Sequence, residues 1–265
     1  RVSAAYDGDD DGKRLGATLA GRTNDTVQWL ISANVGRANE LENMGTNSAA
    51  NVDRTLPNPQ KDKNASVLGK VVVTPGGGQR HVFTLEHVDK TSDYELLTAR
   101  SKPPLAATSV LGSTSFTDMQ RSRATWEGNW RVNTAFADDV KATLSWQDAH
   151  SREYITEDRN TAADRVRDVT YDERTWQANL QGSKVLRNGG PWVQKITYGL
   201  DYTAAKVENL QTGVTPPTGE TFPLKRFPDT TETSTALYVQ DEFVSGPWSI
   251  TPGVRFDTFR IKADQ

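Results

Sequence analysis

The sequence has no cysteine among its 265 residues, which excludes a disulfide framework and any thiolate metal site. With only three histidines and no Ser-His-Asp or paired-carboxylate arrangement, it offers no sign of an enzyme. No apolar run approaches the roughly 18 residues that a transmembrane helix requires. A hydrophobic content of 35% and a mean hydropathy of −0.65 argue against a large central core. The net charge of −3 gives no reason to expect a nucleic-acid partner.

The distinctive feature of the chain is an alternation of apolar and polar residues. In residues 123–147 every second position is apolar or small, through 124–132 and again through 140–146 after a break. Residues as large and charged as Arg131 and Lys141 occupy the positions between them. The same pattern recurs in 15–19, 27–35, 176–180 and 196–204. A period of two with many Thr, Val, Trp and Tyr residues predicts β-strands, and no helical period appears. The predicted fold class is therefore all-β and antiparallel.

The links between the predicted strands alternate in length. The short links are 23–26, 75–79, 136–139, 187–191 and 245–247, and the long links are 39–65, 94–121, 155–167 and 207–232. One end of the sheet would then carry tight turns and the other end long loops. Transmembrane β-barrels of the outer membrane have this asymmetry, with short periplasmic turns and long extracellular loops.

Aromatic residues accompany the short links. Trp29, Trp192 and Trp248 follow three of them closely, and Phe136 lies inside another. Indole rings favour the lipid headgroup zone, so these four residues predict one half of an aromatic girdle. The alternative is an antiparallel sheet protein in water, with one face buried and the other solvated. Together, the three features favour a barrel with its apolar face in lipid and its polar face around a lumen.

We count about eleven strands. Bacterial single-chain barrels have an even number of strands and close on themselves, because lipid does not tolerate an unpaired edge. The large 22-strand transporters, with a plugged lumen, have strands and loops of this length. Residues 1–265 are therefore expected to be the N-terminal half of one transmembrane barrel domain and a piece of a longer protein, without its plug domain.

Several stretches resemble the TonB-dependent outer-membrane receptors. The general likeness is carried by "YVQDEF" (238–243) and "WSITPGVRFDTF" (248–259). A narrower likeness to the haem and haemoglobin receptor branch is carried by "GATLAGRTNDTVQWLISA" (16–33), "RTLPNPQ" (54–60), "EDRNTAADR" (157–165) and "TPPTGETFPLKRFPDT" (215–230). The resemblance covers essentially the whole chain, but only the first half of the family's barrel.

The resemblance implies a receptor in the outer membrane of a Gram-negative bacterium that takes up haem from haemoglobin or another carrier. Haem would be the transported ligand, with no intrinsic cofactor, and the TonB complex would supply energy through the plug. The plug, the TonB box and the "FRAP" and "NPNL" boxes around the family's haem-ligand histidine are absent from this sequence. No axial ligand is therefore carried over.

Candidate ligand contacts are His150 and Tyr154, predicted near the outer rim, together with Tyr94, because His and Tyr are both iron ligands. His81 lies beside a short turn. His87 shares its parity with Phe83 and would face lipid at mid-depth unless a β-bulge after Leu85 turned it inward. The residues predicted to face the lumen, in contact with the plug or an anionic ligand, are Glu127, Arg131, Lys141, Lys195 and Asp201.

Three alternatives to haem uptake stay open at this point. A ferric siderophore receptor would share the architecture. A passive porin would need neither a plug nor energy coupling, and would have shorter strands. A soluble antiparallel β-sheet binding protein would share the alternation alone.

Overall fold

The computed structural model describes residues 1–187 and 189–264, which form one antiparallel sheet. The strands are β1 (Val2–Asp7), β2 (Gly12–Arg22), β3 (Val27–Asn39), β4 (Gln60–Gly76), β5 (Gln79–Glu95), β6 (Val110–Arg131), β7 (Asp139–Arg159), β8 (Arg165–Arg187), β9 (Val193–Val214), β10 (Thr230–Ser245), β11 (Trp248–Ile250) and β12 (Gly253–Ala263). One short 3-10 helix, Leu97–Ala99, follows β5. Across the described ranges, no helix has the length and apolar character needed to cross a membrane. The all-β prediction is confirmed.

Each strand pairs with its neighbours in chain order, as in a meander. β11 and β12 both pair with β10 and lie end to end along it, with Thr251 and Pro252 between them. The twelve strands thus occupy eleven positions, which confirms the predicted number. β1 forms one edge of this open sheet, and β11 with β12 forms the other.

One end of the sheet, the turn end, carries compact links such as 23–26, 77–78 and 132–138. The predicted link 187–191 includes Asn188, which lies outside the described residues. The opposite end of the sheet is here called the loop end. The prediction that all links at this end are long is wrong. The link 8–11 is short, and the predicted link 155–167 shrinks to 160–164, because β7 and β8 continue as strands.

The four strands β6 to β9 are 22, 21, 23 and 22 residues long. A transmembrane strand needs only about 9–11 residues. The loop-end halves of these strands therefore extend beyond the length that crossing a bilayer requires. Sequence alternation fades there, which is why the links appeared longer than they are.

The cross-strand register gives the sheet two chemically distinct faces. The apolar face, as we define it, carries the row Gly21, Trp29, Val71, Phe83, Trp126, Leu144, Ala178 and Tyr202 and the residues two positions away along each strand. The polar face is the opposite side of the same strands. Glu127, Arg131, Lys141, Lys195 and Asp201 all lie on the polar face.

The apolar face is not covered by a second layer of protein. Among the described residues, the buried hydrophobic side chains are only Val82, Ala137 and Ala236. Leu144 keeps 43% of its surface exposed and Tyr198 keeps 37%. An apolar area of this extent is very costly in water, whereas lipid chains would cover it.

The apolar face has a limited height. On β9 its apolar residues run from Ile196 to Ala204, nine positions, which at a tilt of about 45° rise roughly 20 Å. Trp146 and Trp176 lie opposite each other near its upper limit. The next row towards the loop end pairs Asp148 with Arg174. This height fits the apolar band of an outer-membrane barrel, about 25 Å tall.

No β-bulge follows Leu85, because the β5–β6 register is continuous through this part of β5. His87 therefore stays on the apolar face, where its Nδ1 lies 2.9 Å from Ser122 Oγ. Its cross-strand row continues through Ser122 to Asp148, the level at which the face turns polar. His87 thus lies at the loop-end edge of the apolar band rather than at mid-depth, where a polar side chain in contact with lipid would be costly.

The predicted girdle residues lie at the turn end: Trp29 and Trp248 on the apolar face, Phe136 in the β6–β7 link, and Trp192 directly before β9. Two further indoles, Trp126 and Trp130, pack edge to face there with centroids 5.8 Å apart. The His81 ring is parallel to Trp126, with a centroid distance of 6.2 Å. His81 is therefore part of an aromatic cluster on the apolar face.

Glycines on the apolar face make room for aromatic rings on the neighbouring strand. Gly182 lies directly opposite Tyr198. A Cβ atom at Gly182 would lie 2.7 Å from the Tyr198 ring. The ring also places the Tyr198 hydroxyl 3.1 Å from the Phe136 carbonyl, to which it donates a hydrogen bond.

We expect Gly182→Val to lower the free energy of unfolding by about 1–3 kcal/mol, because the new side chain displaces the Tyr198 ring. Gly69→Val is the matched control, since a Cβ at Gly69 meets nothing within 4 Å on the same face. Urea unfolding of the full-length protein in vesicles measures both. Equal effects at the two glycines would show that the ring contact is unimportant.

Candidate functional site

The links at the loop end hold one another in a connected layer. The link 40–59 meets the link 96–109, where Asn58 Nδ2 donates to Thr98 Oγ1 at 2.9 Å. That second link accepts a backbone hydrogen bond from Asn160 at Ser109, 2.9 Å. Thr215 then donates to the Asp164 carbonyl at 2.6 Å. These links at the loop end, here called the mouth, therefore hold each other in position.

The link 215–229 folds back over the polar face of β9. Asn209 donates through Nδ2 to the Phe227 carbonyl and accepts from the Arg226 backbone N–H, both at 2.8 Å. Gln211 and Leu224 exchange two backbone hydrogen bonds of 2.8 Å. These contacts leave Asn209 only 7% and Gln211 only 3% exposed. Because both residues lie on the polar face, the link covers part of the space that this face lines.

Side chains of the link 215–229 reinforce this position. Arg226 binds Glu220 through two hydrogen bonds of 2.7 and 2.9 Å and reaches Gln211 Oε1 at 3.2 Å. Phe227 packs edge to face on Tyr171, with centroids 6.3 Å apart. Burial, and secondarily the charge of Glu173, raise the pKa of the Tyr171 hydroxyl above its usual value. The tyrosine therefore stays neutral at neutral pH.

Beside this link, one cross-strand row on the polar face joins Tyr94, Ser115, Ile155 and Arg167. Three strand spacings separate its ends, about 14 Å. Arg167 Nε is buried and has no hydrogen-bond partner in the part of the chain that the structure describes. A buried guanidinium N–H without a partner is costly. Arg167 also forms no salt bridge with a described residue, so the rest of its guanidinium can bind an anionic ligand.

Two more arginines lie beyond Arg167 towards the loop end of the polar face, Arg165 two positions away on β8 and Arg159 at the end of β7. Arg159 donates to Glu157 at 3.1 Å, and Arg165 lies 3.5 Å from the same carboxylate oxygen. Glu153 also lies on the polar face, two positions along β7 from Ile155, and forms no salt bridge with a described residue. Arg159 and Arg165 thus share the Glu157 carboxylate, whereas Arg167 forms no salt bridge with a described residue and keeps its charge for a ligand. Arginine is well suited to binding carboxylates and other oxyanions.

The structure separates the three predicted ligand contacts. Tyr94 lies on the polar face in the same row as Arg167, whereas His150 and Tyr154 lie on the opposite, apolar-face side of β7, beyond the apolar band. His150 Nδ1 lies 2.7 Å from Asp172 Oδ1. The contact of these two residues with a ligand stays a prediction, since a ligand held by the polar face would meet the other side of the strand.

The five residues predicted to face the lumen lie below the mouth, on the polar face. Asp201 is the best anchored, because it accepts hydrogen bonds from Asn179 and, at 2.7 Å, from Arg255. Arg131 approaches Asp139 to 4.0 Å. Their contact with a plug or with a ligand stays a prediction.

Sequence reasoning missed Arg167, Asn209 and Gln211. All three fall in segments that were assigned, wholly or in part, to links. The usable signal in 165–169 was faint, because Arg165 and Arg167 alternate with Val166 and Asp168 rather than with two apolar residues. The folding back of 215–229 onto Asn209 has no signature in the sequence.

Comparison with known families now decides the class of protein. Residues 68–265 match the family model described as TonB dependent receptor-like, beta-barrel. The chain belongs to this family. The family consists of receptors and not of enzymes, and the protein is located in the outer membrane of a Gram-negative bacterium. Accordingly, the apolar face of this TonB-dependent receptor barrel meets lipid and its polar face lines the lumen.

Solved structures agree on the fold. The chain is similar to the outer membrane transporter YddB from Escherichia coli (TM-score 0.61, 12% identity), covering 95% of this chain and 35% of that one. It is also similar to the ferric citrate transporter FecA (TM-score 0.62, 12% identity, 95% and 36% covered). The siderophore receptor PiuA from Acinetobacter baumannii gives a TM-score of 0.61 at 13% identity, with 98% and 42% covered. The chain thus spans less than half of these three proteins.

A comparison with curated protein sequences found no match. The findings therefore support the TonB-dependent receptor barrel, as the sequence indicated, but they do not support the narrower haem branch.

Proposed function

We propose that this chain is part of the wall of a TonB-dependent receptor that imports an anionic iron chelate across the outer membrane. The single observation that carries the proposal is Arg167, a guanidinium on the lumen side of the mouth whose buried Nε has no partner among the described residues. Energy for import would come from the TonB complex through a plug domain.

A ferric siderophore or ferric citrate is the first candidate ligand. Carboxylate- and catecholate-bearing chelates match a site with three arginines, of which Arg167 has no carboxylate partner among the described residues. The names of two structurally similar proteins, a ferric citrate transporter and a siderophore receptor, support the same class of ligand. Similarity at 12–13% identity indicates the fold alone, so the arginines carry the argument.

Haem is the second candidate, and a separate observation favours it. The segment 215–230, which resembles the haem receptor branch, forms the link that folds over the polar face beside the arginines. Haem carries two propionates for the arginines, and the Tyr94 phenol is a possible iron ligand. A haem carrier protein such as haemoglobin would then be the donor.

The test is titration of the full-length receptor in detergent with ferric citrate, a ferric catecholate and haem, measured by tryptophan fluorescence and by haem absorbance. We expect Arg167→Gln to weaken binding of the cognate chelate about 10- to 100-fold, because a charge-assisted hydrogen bond is lost. For haem, Tyr94→Phe should also shift the absorbance maximum.

Arg174→Gln is the matched control, because Arg174 lies on β8 as well but on the opposite face, paired with Asp148 at 2.8 Å. It should leave every affinity unchanged. If none of the three probes binds, or if Arg167→Gln binds as tightly as the unaltered receptor, the proposed function is wrong. A strong effect on haem alone would decide between the two ligands.

A further inference from the structure

The apolar face of β2, β3 and β4 ends in three cations that lie directly opposite one another. Lys13 pairs with Arg37, and Arg37 pairs with Lys63, so that the three form one cross-strand row, here called the cationic row. Adjacent strands are about 4.8 Å apart, and the row therefore spans about 10 Å. Like charges directly opposite each other destabilise a sheet. Repulsion within the cationic row therefore destabilises the sheet, and a bound anion would remove this repulsion.

The protein itself neutralises little of this charge. Asp11 lies 3.1 Å from Lys13, and hydrogen bonding to Lys13 lowers the pKa of the Asp11 carboxyl. Arg37 and Lys63 are exposed and form no salt bridge within residues 1–187 and 189–264. The nearest other carboxylates on this face are those of Asp89, one row nearer the turn end, and of Asp93, one row nearer the loop end and opposite Lys61.

The apolar-face side of β7 and β8 is different beyond the apolar band. On β7 and β8, the row beyond the apolar band pairs Arg174 with Asp148, and the following row pairs His150 with Asp172. In the row after that, Arg152 reaches diagonally to Asp168. Each of these basic groups lies within 2.8 Å of a carboxylate on the neighbouring strand. Arg37 and Lys63 have no such carboxylate partner among the described residues.

An open groove joins the cationic row to the apolar band. The same groove is lined by Lys13, Arg37 and Lys63 and by Ala4, Leu15 and Val35. Leu15 and Val35 lie opposite each other in the row directly below the cations. An occupant that meets both parts must have an anionic head and an apolar tail, with the junction at the edge of the lipid.

We propose that the cationic row and its groove bind a phosphorylated glycolipid of the outer leaflet, with phosphate on Arg37 and Lys63 and an acyl chain along Leu15 and Val35. Lipid A, the phosphorylated anchor of lipopolysaccharide, has this chemistry. The row lies at the loop end, where the barrel meets the outer leaflet, so phosphates at the boundary of the apolar band are within its reach. This interaction is separate from import of a chelate.

The test compares binding of bis-phosphorylated lipid A to the full-length receptor in detergent, by native mass spectrometry over a titration. We expect the double variant Arg37→Gln/Lys63→Gln to bind lipid A about 10- to 100-fold more weakly, through the loss of charged hydrogen bonds to phosphate. Dephosphorylated lipid A should bind the unaltered receptor as weakly as the double variant binds lipid A itself.

The control Arg174→Gln/Lys206→Gln removes the same charge from the apolar-face side of β8 and β9, where both cations are paired, and should bind lipid A normally. Heat-modifiable mobility on gels verifies that each variant is folded. Equal affinity in the Arg37→Gln/Lys63→Gln variant, or an equal loss in the control, overturns the proposal. If inorganic phosphate competes at the same concentration as lipid A, the cationic row binds anions in general, and the proposal is also overturned.

Discussion

Replacing Leu144 by arginine is expected to destabilise the barrel by about 2–4 kcal/mol, the cost of an arginine on the lipid face near the bilayer midplane. Leu144 is 43% exposed, and it lies five residues from the start of β7 at the turn end, which corresponds to a depth of about 12 Å. No carboxylate lies opposite it, because its cross-strand partners are Trp126 and Ala178. Folding of the full-length protein into vesicles across a urea series measures the loss.

The neighbouring residue provides the control. Thr143 lies on the polar face opposite Glu127, so Thr143→Arg places the same side chain in the lumen beside a carboxylate. We expect a change of less than about 1 kcal/mol there. If both arginines were tolerated equally, or if Thr143→Arg were the more harmful, the assignment of the two faces to lipid and lumen would be incorrect.

The sequence predicted correctly those strand segments that have lipid on one face and the lumen on the other. In β7, Val140 to Trp146 alternate strictly, because one side meets lipid and the other side meets the lumen. In the loop-end half of β8, "RVRDVTYDER" (165–174), both sides are polar and the alternation disappears. The backbone ladder continues regardless, since its hydrogen bonds do not depend on side-chain polarity.

The candidate site was predictable only in part, for a related reason. Tyr94 was named as a candidate, and its row of the polar face also contains Arg167. That row exists only once β5, β6, β7 and β8 are paired in register, and register between long strands is set by the whole fold. His87 shows the same limit, because its depth depends on where Ser122 and Asp148 lie on neighbouring strands.

Replacing Asn209 by alanine is expected to release the link 215–229 from the lumen. The buried Asn209 amide makes two hydrogen bonds of 2.8 Å to the backbone of Phe227 and Arg226. Losing both, and leaving their buried partners unsatisfied, costs about 2–3 kcal/mol. That cost raises the open population about 30- to 150-fold. Trypsin cleavage of the full-length receptor after Lys225 or Arg226 should accelerate by the same factor, as long as the link recloses faster than it is cut.

Asn179→Ala is the comparison that isolates the link. Asn179 also lies on the polar face and donates to a carboxylate, Asp201, but it makes no contact with residues 215–229. Its substitution should therefore leave cleavage at Lys225 and Arg226 at the original rate. Slow cleavage in the Asn209→Ala receptor would mean that the contacts of Gln211 and of Arg226 with Glu220 hold the link unaided. Because Arg167 lies beside this link, a released link should also increase the association rate of any chelate that the mouth binds.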